Sequence, residues 1–161
     1  MKVNKLCLRR AVSRIMNDMG VVRGTVGRVL VRDSIMYSVL HEDFEIYPQI
    51  KEVYIEIGKK YYSDNNDDEK LYYKVEHTCR RAIESTYNKS PHTEMWDKTF
   101  NGYKPSASEF IRTCADMIVD GEILIDENAD KFVNLSEEMK IYISSEVRKA
   151  IREFFHGCLD K

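Results

Sequence analysis

Six side chains between positions 70 and 81 carry most of the chemistry that this 161-residue chain offers. Lys70, Lys74, Glu76, His77, Arg80 and Arg81 fall in a stretch whose inward residues, Leu71, Val75, Cys79 or Thr78, Ala82 and Ile83, recur at helical spacing. On a helix the two sets occupy opposite faces. A helix with long donors and acceptors on one face suits recognition of duplex nucleic acid. Lysine and arginine neutralise phosphates, arginine pairs with guanine edges, and a carboxylate such as Glu76 accepts from cytosine N4. Arg23 and Arg28, at the start of an earlier helix, are further candidates for DNA contact. The same pattern also describes a solvated helix face, so periodicity alone leaves both readings open.

Other chemistry finds little support. His41, His77, His92 and His156 are scattered, and no Ser/His/Asp, Cys/His or metal spacing links them. Glu42 and Asp43 beside His41 read as an exposed helix end. Cys7, Cys79, Cys114 and Cys158 form no C-x-x-C pair and read as reduced thiols. Gly24 and Gly27 are not followed by the lysine and hydroxyl of a phosphate loop. No enzyme activity, cofactor, metal or small-molecule substrate is therefore expected.

The elements that must position these residues are helical. A first helix, marked by Leu6, Leu8, Val12, Ile15, Met16 and Met19, ends before Gly20. A second runs from about Thr25 to His41, with Val26, Val29, Leu30, Ile35, Met36, Val39 and Leu40 as its apolar positions. A third is expected over Tyr47 to Tyr62, with Gly58 inside its pattern. The polar run SDNNDDEK offers N-caps between Asn65 and Asp68 for the helix from Glu69 to Asn88. Trp96 sits in a short helix, and Ser106 with Glu109 form an S-x-x-E capping box that opens a helix through Val119. After Gly121, GEILIDENADKFVN reads as a short hairpin or loop. From Ser136 an amphipathic helix places Met139, Ile143, Val147, Ala150, Ile151 and Phe154 on one stripe.

The expected fold class is all-α: a multi-helix helix-turn-helix domain over residues 1–120 with a C-terminal extension over 121–161. Hydrophobic residues at 43% support a core, and no apolar run reaches the length of a membrane span or a signal peptide, which makes the cytoplasm the expected address. The net charge of −2 is small for a DNA binder, but its distribution is uneven. Residues 1–32 hold eight Lys/Arg against Asp18 alone, whereas residues 33–70 hold four against ten acids.

Three blocks in order carry a family resemblance: MGVVRGTVGRVLVRDSI (19–35), KVEHTCRRAIESTY (74–87) and KPSASEFIRTCADMI (104–118). Over residues 10–120 the chain resembles the C-terminal DNA-binding domain of the sporulation master response regulator, stage zero sporulation protein A. The resemblance implies a six-helix fold whose recognition helix enters the major groove of promoter DNA, and tandem dimers on that DNA. It implies that Lys74, Glu76, His77, Arg80 and Arg81 face the duplex. His77 stands where the family has an arginine, and an imidazole cannot supply a bidentate grip on guanine. The resemblance therefore implies DNA binding without fixing the family's target sequence.

Further departures are a turn before the recognition helix about seven residues longer than the family's, and acids within it. Asp64, Asp67, Asp68 and Glu69 come near the expected phosphates, and the longer turn makes Lys70 and Lys74 the first turn of the reading helix. No phosphoacceptor receiver precedes the domain in this sequence, and the tail has no counterpart in the family. The tail's apolar stripe packs either on its own domain or on a second chain. The expected partners are double-stranded DNA and a second copy of the chain, with no membrane. The competing expectation is an interaction module that pairs with a full-length regulator and does not bind DNA.

Overall fold

The computed structural model describes residues 5–43, 46–62, 67–89 and 91–120. Within them the chain forms α1 (Lys5–Asp18), α2 (Val26–Leu40), α3 (Ile50–Tyr61), α4 (Asp68–Tyr87), α5 (Glu94–Phe100) and α6 (Ala107–Val119). No strand occurs among the described residues, so the fold is all-α as the sequence implies. The hairpin and amphipathic helix expected after Gly121 lie outside the described residues.

Local chemistry sets most helix ends. At the end of α1, the Val21 amide donates to the Met16 carbonyl and the Gly20 amide to Asn17, both at 2.9 Å. Gly20 takes the left-handed backbone, φ +77°, that this Schellman closure needs. Thr25 caps α2 by accepting from the Arg28 amide at 3.2 Å. The Asp67 carboxylate caps α4, accepting from the Glu69 and Lys70 amides at 3.1 and 3.2 Å. Ser106 and Glu109 form the reciprocal capping box of α6.

Helix α2 is the hub, packing on α1, α3, α4 and α6. Its inner side, Leu30, Val31 and Ile35, is fully buried among Leu8, Ile15, Val75, Cys79 and Phe110. Below it, Trp96, Phe100 and Phe110 form an aromatic knot with ring centroids 5.1–5.7 Å apart. The one buried carboxylate among the described residues, Asp33, ties α2 to the end of α3. It accepts from Arg32 Nη2 at 2.7 Å, Lys60 Nζ at 2.5 Å and the Tyr61 hydroxyl at 2.6 Å.

Two glycines seat α4. A Cβ on Gly27 of α2 would lie 2.8 Å from the Ala82 Cβ, and one on Gly58 of α3 would lie 2.9 Å from the Leu71 Cβ. Both approaches are too close for any larger residue. Gly58, which interrupts the apolar pattern in sequence, is thus a packing residue in the helix interior.

Several expectations need correction. Leu6 is 41% exposed and Cys7 takes the inward position; Val26, at 63%, also faces solvent, as does Leu40. Helix α3 begins at Ile50 and not at Tyr47, because Pro48 biases the residue before it away from helical backbone.

Candidate nucleic-acid interface

The 20 residues of α4 divide into two faces. Leu71, Val75, Cys79, Ile83 and Thr86 are buried against α2 and α3, and burial pushes the Cys79 thiol up to about 12. On the opposite side Lys70, Lys74, His77 and Arg81 are all exposed and spaced at four, three and four residues, which aligns them in one stripe. His77 is central to it. Two of its lysines have local partners: Lys70 Nζ lies 3.3 Å from Asp67, and Lys74 Nζ sits 3.8 Å from the ring centroid of Tyr62.

The stripe has two flanks. On one, Arg80 reaches back to Glu76 at 3.4 Å, and both line a cleft shared with Tyr54, Tyr72 and the Lys104–Ser108 segment before and into α6. On the other, a groove of about 280 Å³ separates α4 from the turn that precedes α2. Val22, Thr25 and Gly27 form one wall, with His77, Arg81 and Ser85 on the other. The turn is braced by Lys89, just past α4, whose Nζ donates to the Gly20 carbonyl at 2.7 Å.

Arg23, in the turn that walls this groove, and Arg28, in the first turn of α2, differ in what they touch. Arg23 is exposed and donates from Nε to Asn17 at 3.1 Å. Arg28 is half-buried, with Nη1 donating to the Val21 carbonyl at 2.6 Å and Nη2 to Asn17 at 2.8 Å and the Ser13 carbonyl at 3.3 Å. Burial, and then the charges of Arg23 and Arg32, lower its pKa. Arg28 therefore stitches α1 to α2. The structure groups Lys70, Lys74, His77 and Arg81, turns Glu76 and Arg80 to a flank, and keeps Arg28's donors within the scaffold.

The first turn of α4 is acidic. Asp67 and Asp68 have lysine partners, the latter Lys59 at 3.5 Å, while Glu69 is exposed. The Lys70 amide leads the contacts that hold the Asp67 carboxyl below the usual range. Acids at a helix N-terminus are stabilised by the helix dipole, which accounts for them structurally. Asp64, also expected near phosphates, lies outside the described residues.

Sequence reasoning missed Tyr73. It is 58% exposed beside Lys70 and His77, with its ring edge-on to Tyr72 at 5.1 Å. Its place two residues from both Leu71 and Val75, at neither i+3 nor i+4 from the apolar set, is the available signal. Among the described residues no three His, Cys, Asp or Glu side chains cluster as metal ligands, and no helix is long and apolar enough to cross a membrane.

Compared with known families, residues 12–118 match the family described as sporulation initiation factor Spo0A C terminal, about two thirds of the chain. No curated protein and no solved structure matches the chain.

Proposed function

This chain belongs to the Spo0A C-terminal family, a family of DNA-binding effector domains and not of enzymes, and from that premise we propose that it is a sequence-specific transcription regulator reading promoter DNA with α4. The observation that supports this reading most is the exposed stripe Lys70, Lys74, His77 and Arg81, opposite a face locked by Gly27 and Gly58. A helix in the major groove must present long polar side chains while its back is held rigidly. In this reading His77 and Arg81 meet base edges, Lys70 and Lys74 leave their local partners for phosphates, and Arg23 grips the backbone across the groove. Arg80, released from Glu76, reaches a phosphate or a guanine, and Glu76 then accepts from cytosine N4. Arg28 serves by fixing the turn that carries Arg23.

The chain acts in the cytoplasm as a homodimer, with residues 1–120 reading DNA and residues 121–161 packing or pairing. A dimer places two reading helices one DNA turn apart, about 34 Å. The acidic first turn of α4 favours a second reading, an interaction module that pairs with a full-length regulator. Selection of bound sequences from a random duplex library at about 100 mM salt separates the two, because phosphate-driven affinity survives there for a true binder. An enriched motif, lost in Arg81→Gln, supports the regulator; two spaced half-sites support the dimer. No enrichment would overturn the DNA reading and leave the partner-binding one.

A further inference from the structure

We propose that Tyr73 is a phosphate contact of the reading helix, its hydroxyl donating to the DNA strand that runs along the Arg80 margin of α4; the proposal rests on the DNA-binding reading above. The tyrosines among the described residues divide by what holds them. Tyr54 is buried, and Tyr37, Tyr47, Tyr62, Tyr72 and Tyr87 pack partly against the core. Tyr61 and Tyr103 are exposed, but their hydroxyls donate to the carboxylates of Asp33 and Glu109. Among the described residues Tyr73 alone is exposed, stands outside the core packing and has a hydroxyl that bonds to no other residue.

Helix register places that hydroxyl. At 3.6 residues per turn, Tyr73 stands about 40° round α4 from His77, on the side away from the rest of the stripe. Arg80 lies about 20° further round and two turns on. A helix with its side chains is about 10–12 Å across and the major groove about 12 Å wide. The middle of the outer face therefore meets base edges, and its margins meet the sugar–phosphate walls. Neutral donors such as tyrosine contact those walls as lysine and arginine do, and such contacts fix the register of the protein on the duplex.

The ring is held in place before DNA arrives. Its centroid lies 5.1 Å from that of Tyr72, and Tyr72 lies 5.9 Å from buried Tyr54. This series of rings leads from the core to the surface and lowers the entropy lost when the phenol is fixed by a ligand. Glu69 and Glu76 stand about one turn before and after Tyr73, yet neither accepts from its hydroxyl. Arg80, on the same margin, is tied to Glu76 at 3.4 Å, whereas Tyr73 bonds to a phosphate without breaking an ion pair.

The test is titration of the full chain with its selected duplex between about 50 and 200 mM salt. Tyr73→Phe keeps the ring and removes only the donor. Affinity is expected to fall roughly tenfold at every salt concentration, the scale of one hydrogen bond to a charged group. The slope of log affinity against log salt should not change, because a neutral hydroxyl displaces no counterion. Sequence selection with the variant should return the parent's motif, since phosphate contacts carry no base information. Uncharged methylphosphonates placed singly along the site should reveal one position at which parent and variant bind nearly alike, and the variant should melt like the parent. Unchanged affinity while the parent still binds, or coupling at no phosphate, would overturn the Tyr73 contact alone. So would a changed motif, which would put Tyr73 on a base, or a lowered Tm, which would assign its hydroxyl to the fold. A parent chain that enriches no sequence and binds no duplex would overturn the DNA reading and this proposal together.

Discussion

Replacing Gly27 by alanine is expected to loosen the seat of α4 by about 1–2 kcal/mol, from overpacking less the helix propensity gained. The new Cβ would stand 2.8 Å from the Ala82 Cβ and 3.3 Å from the Thr78 carbonyl oxygen. Carbon atoms in good contact lie about 3.5–4.0 Å apart, so the two helices must separate by roughly an ångström. Neither neighbour is the free end of a flexible side chain, and the movement must come from the backbone. Overpacking costs about 1–3 kcal/mol, and a contact this short between two Cβ atoms fixed to their helices falls in the upper part of that range, about 2–3 kcal/mol. Alanine returns close to 1 kcal/mol through its better helix propensity, which leaves the net loss stated. In a domain of this size that is a fall of about 3–8 °C in Tm. Thermal and urea unfolding measure it, and a DNA titration on the same samples reports whether the displaced α4 still fits its groove. The decisive variant is Gly27→Ala with Ala82→Gly, which removes the methyl that Gly27→Ala strikes. A coupling of at least about 1 kcal/mol between the two sites is expected. If Gly27→Ala proves neutral or stabilising, or if the two changes simply add, close approach at Gly27 does not seat α4.

Asp33→Asn is expected to cost about 1–2 kcal/mol at neutral pH, the scale of charge-assisted hydrogen bonds reduced for the exposed Lys60. Burial opposes ionisation of Asp33, but hydrogen bonds from Lys60, Tyr61 and Arg32 together outweigh it and lower its pKa. A carboxyl whose folded pKa is depressed stabilises the fold above its unfolded pKa, near 4, and loses that contribution as pH falls through the folded value. The gap between parent and variant should therefore narrow progressively as pH falls below about 4; a gap that does not change with pH there refutes the network's role. Burial raises the pKa of both Cys79 and Cys114, Cys79 to about 12, so a thiol reagent at pH 8 should leave both unlabelled until denaturant is added. Rapid labelling of either in the native protein would contradict their burial. His77→Arg is expected to move the selected DNA sequence toward guanine at the position facing residue 77, and an unchanged motif would remove His77 from base contact.

What the sequence discloses tracks how local the physics is. The S-x-x-E box at Ser106, the Asp67 cap and the Gly20 closure each involve residues within five positions of one another, and each helix end they mark is observed. Leu6 and Cys7 are both apolar and adjacent, so periodicity cannot choose which faces inward; packing against the rest of the core puts Cys7 there. Val26 and Leu40 fit the stripe of α2 but sit at its ends, where the helix outruns its neighbours. The site divides the same way. The face of α4 follows from spacing alone. Arg28's inward role does not, because its partners at Val21, Asn17 and Ser13 lie seven, eleven and fifteen residues back and meet it only after α1 and α2 have packed.

The same separation bears on how such a domain changes its target. Every contact that seats α4 uses one side of it: Leu71 against Gly58, Ala82 against Gly27, and Val75, Cys79 and Ile83 in the core. Of the stripe of Lys70, Lys74, His77 and Arg81, only Lys74 touches that packing, through the Tyr62 ring. Exposed substitutions away from caps and networks usually change stability by no more than about 0.5 kcal/mol. A replacement at position 77 or 81 is therefore nearly free for the fold, while in the proposed reading it alters which base edge is bound. A residue at position 27 or 58 has no such freedom, since any Cβ there strikes α4. The glycines thus fix the seat of α4, and in the proposed reading the stripe is where sequence preference diverges without disturbing it.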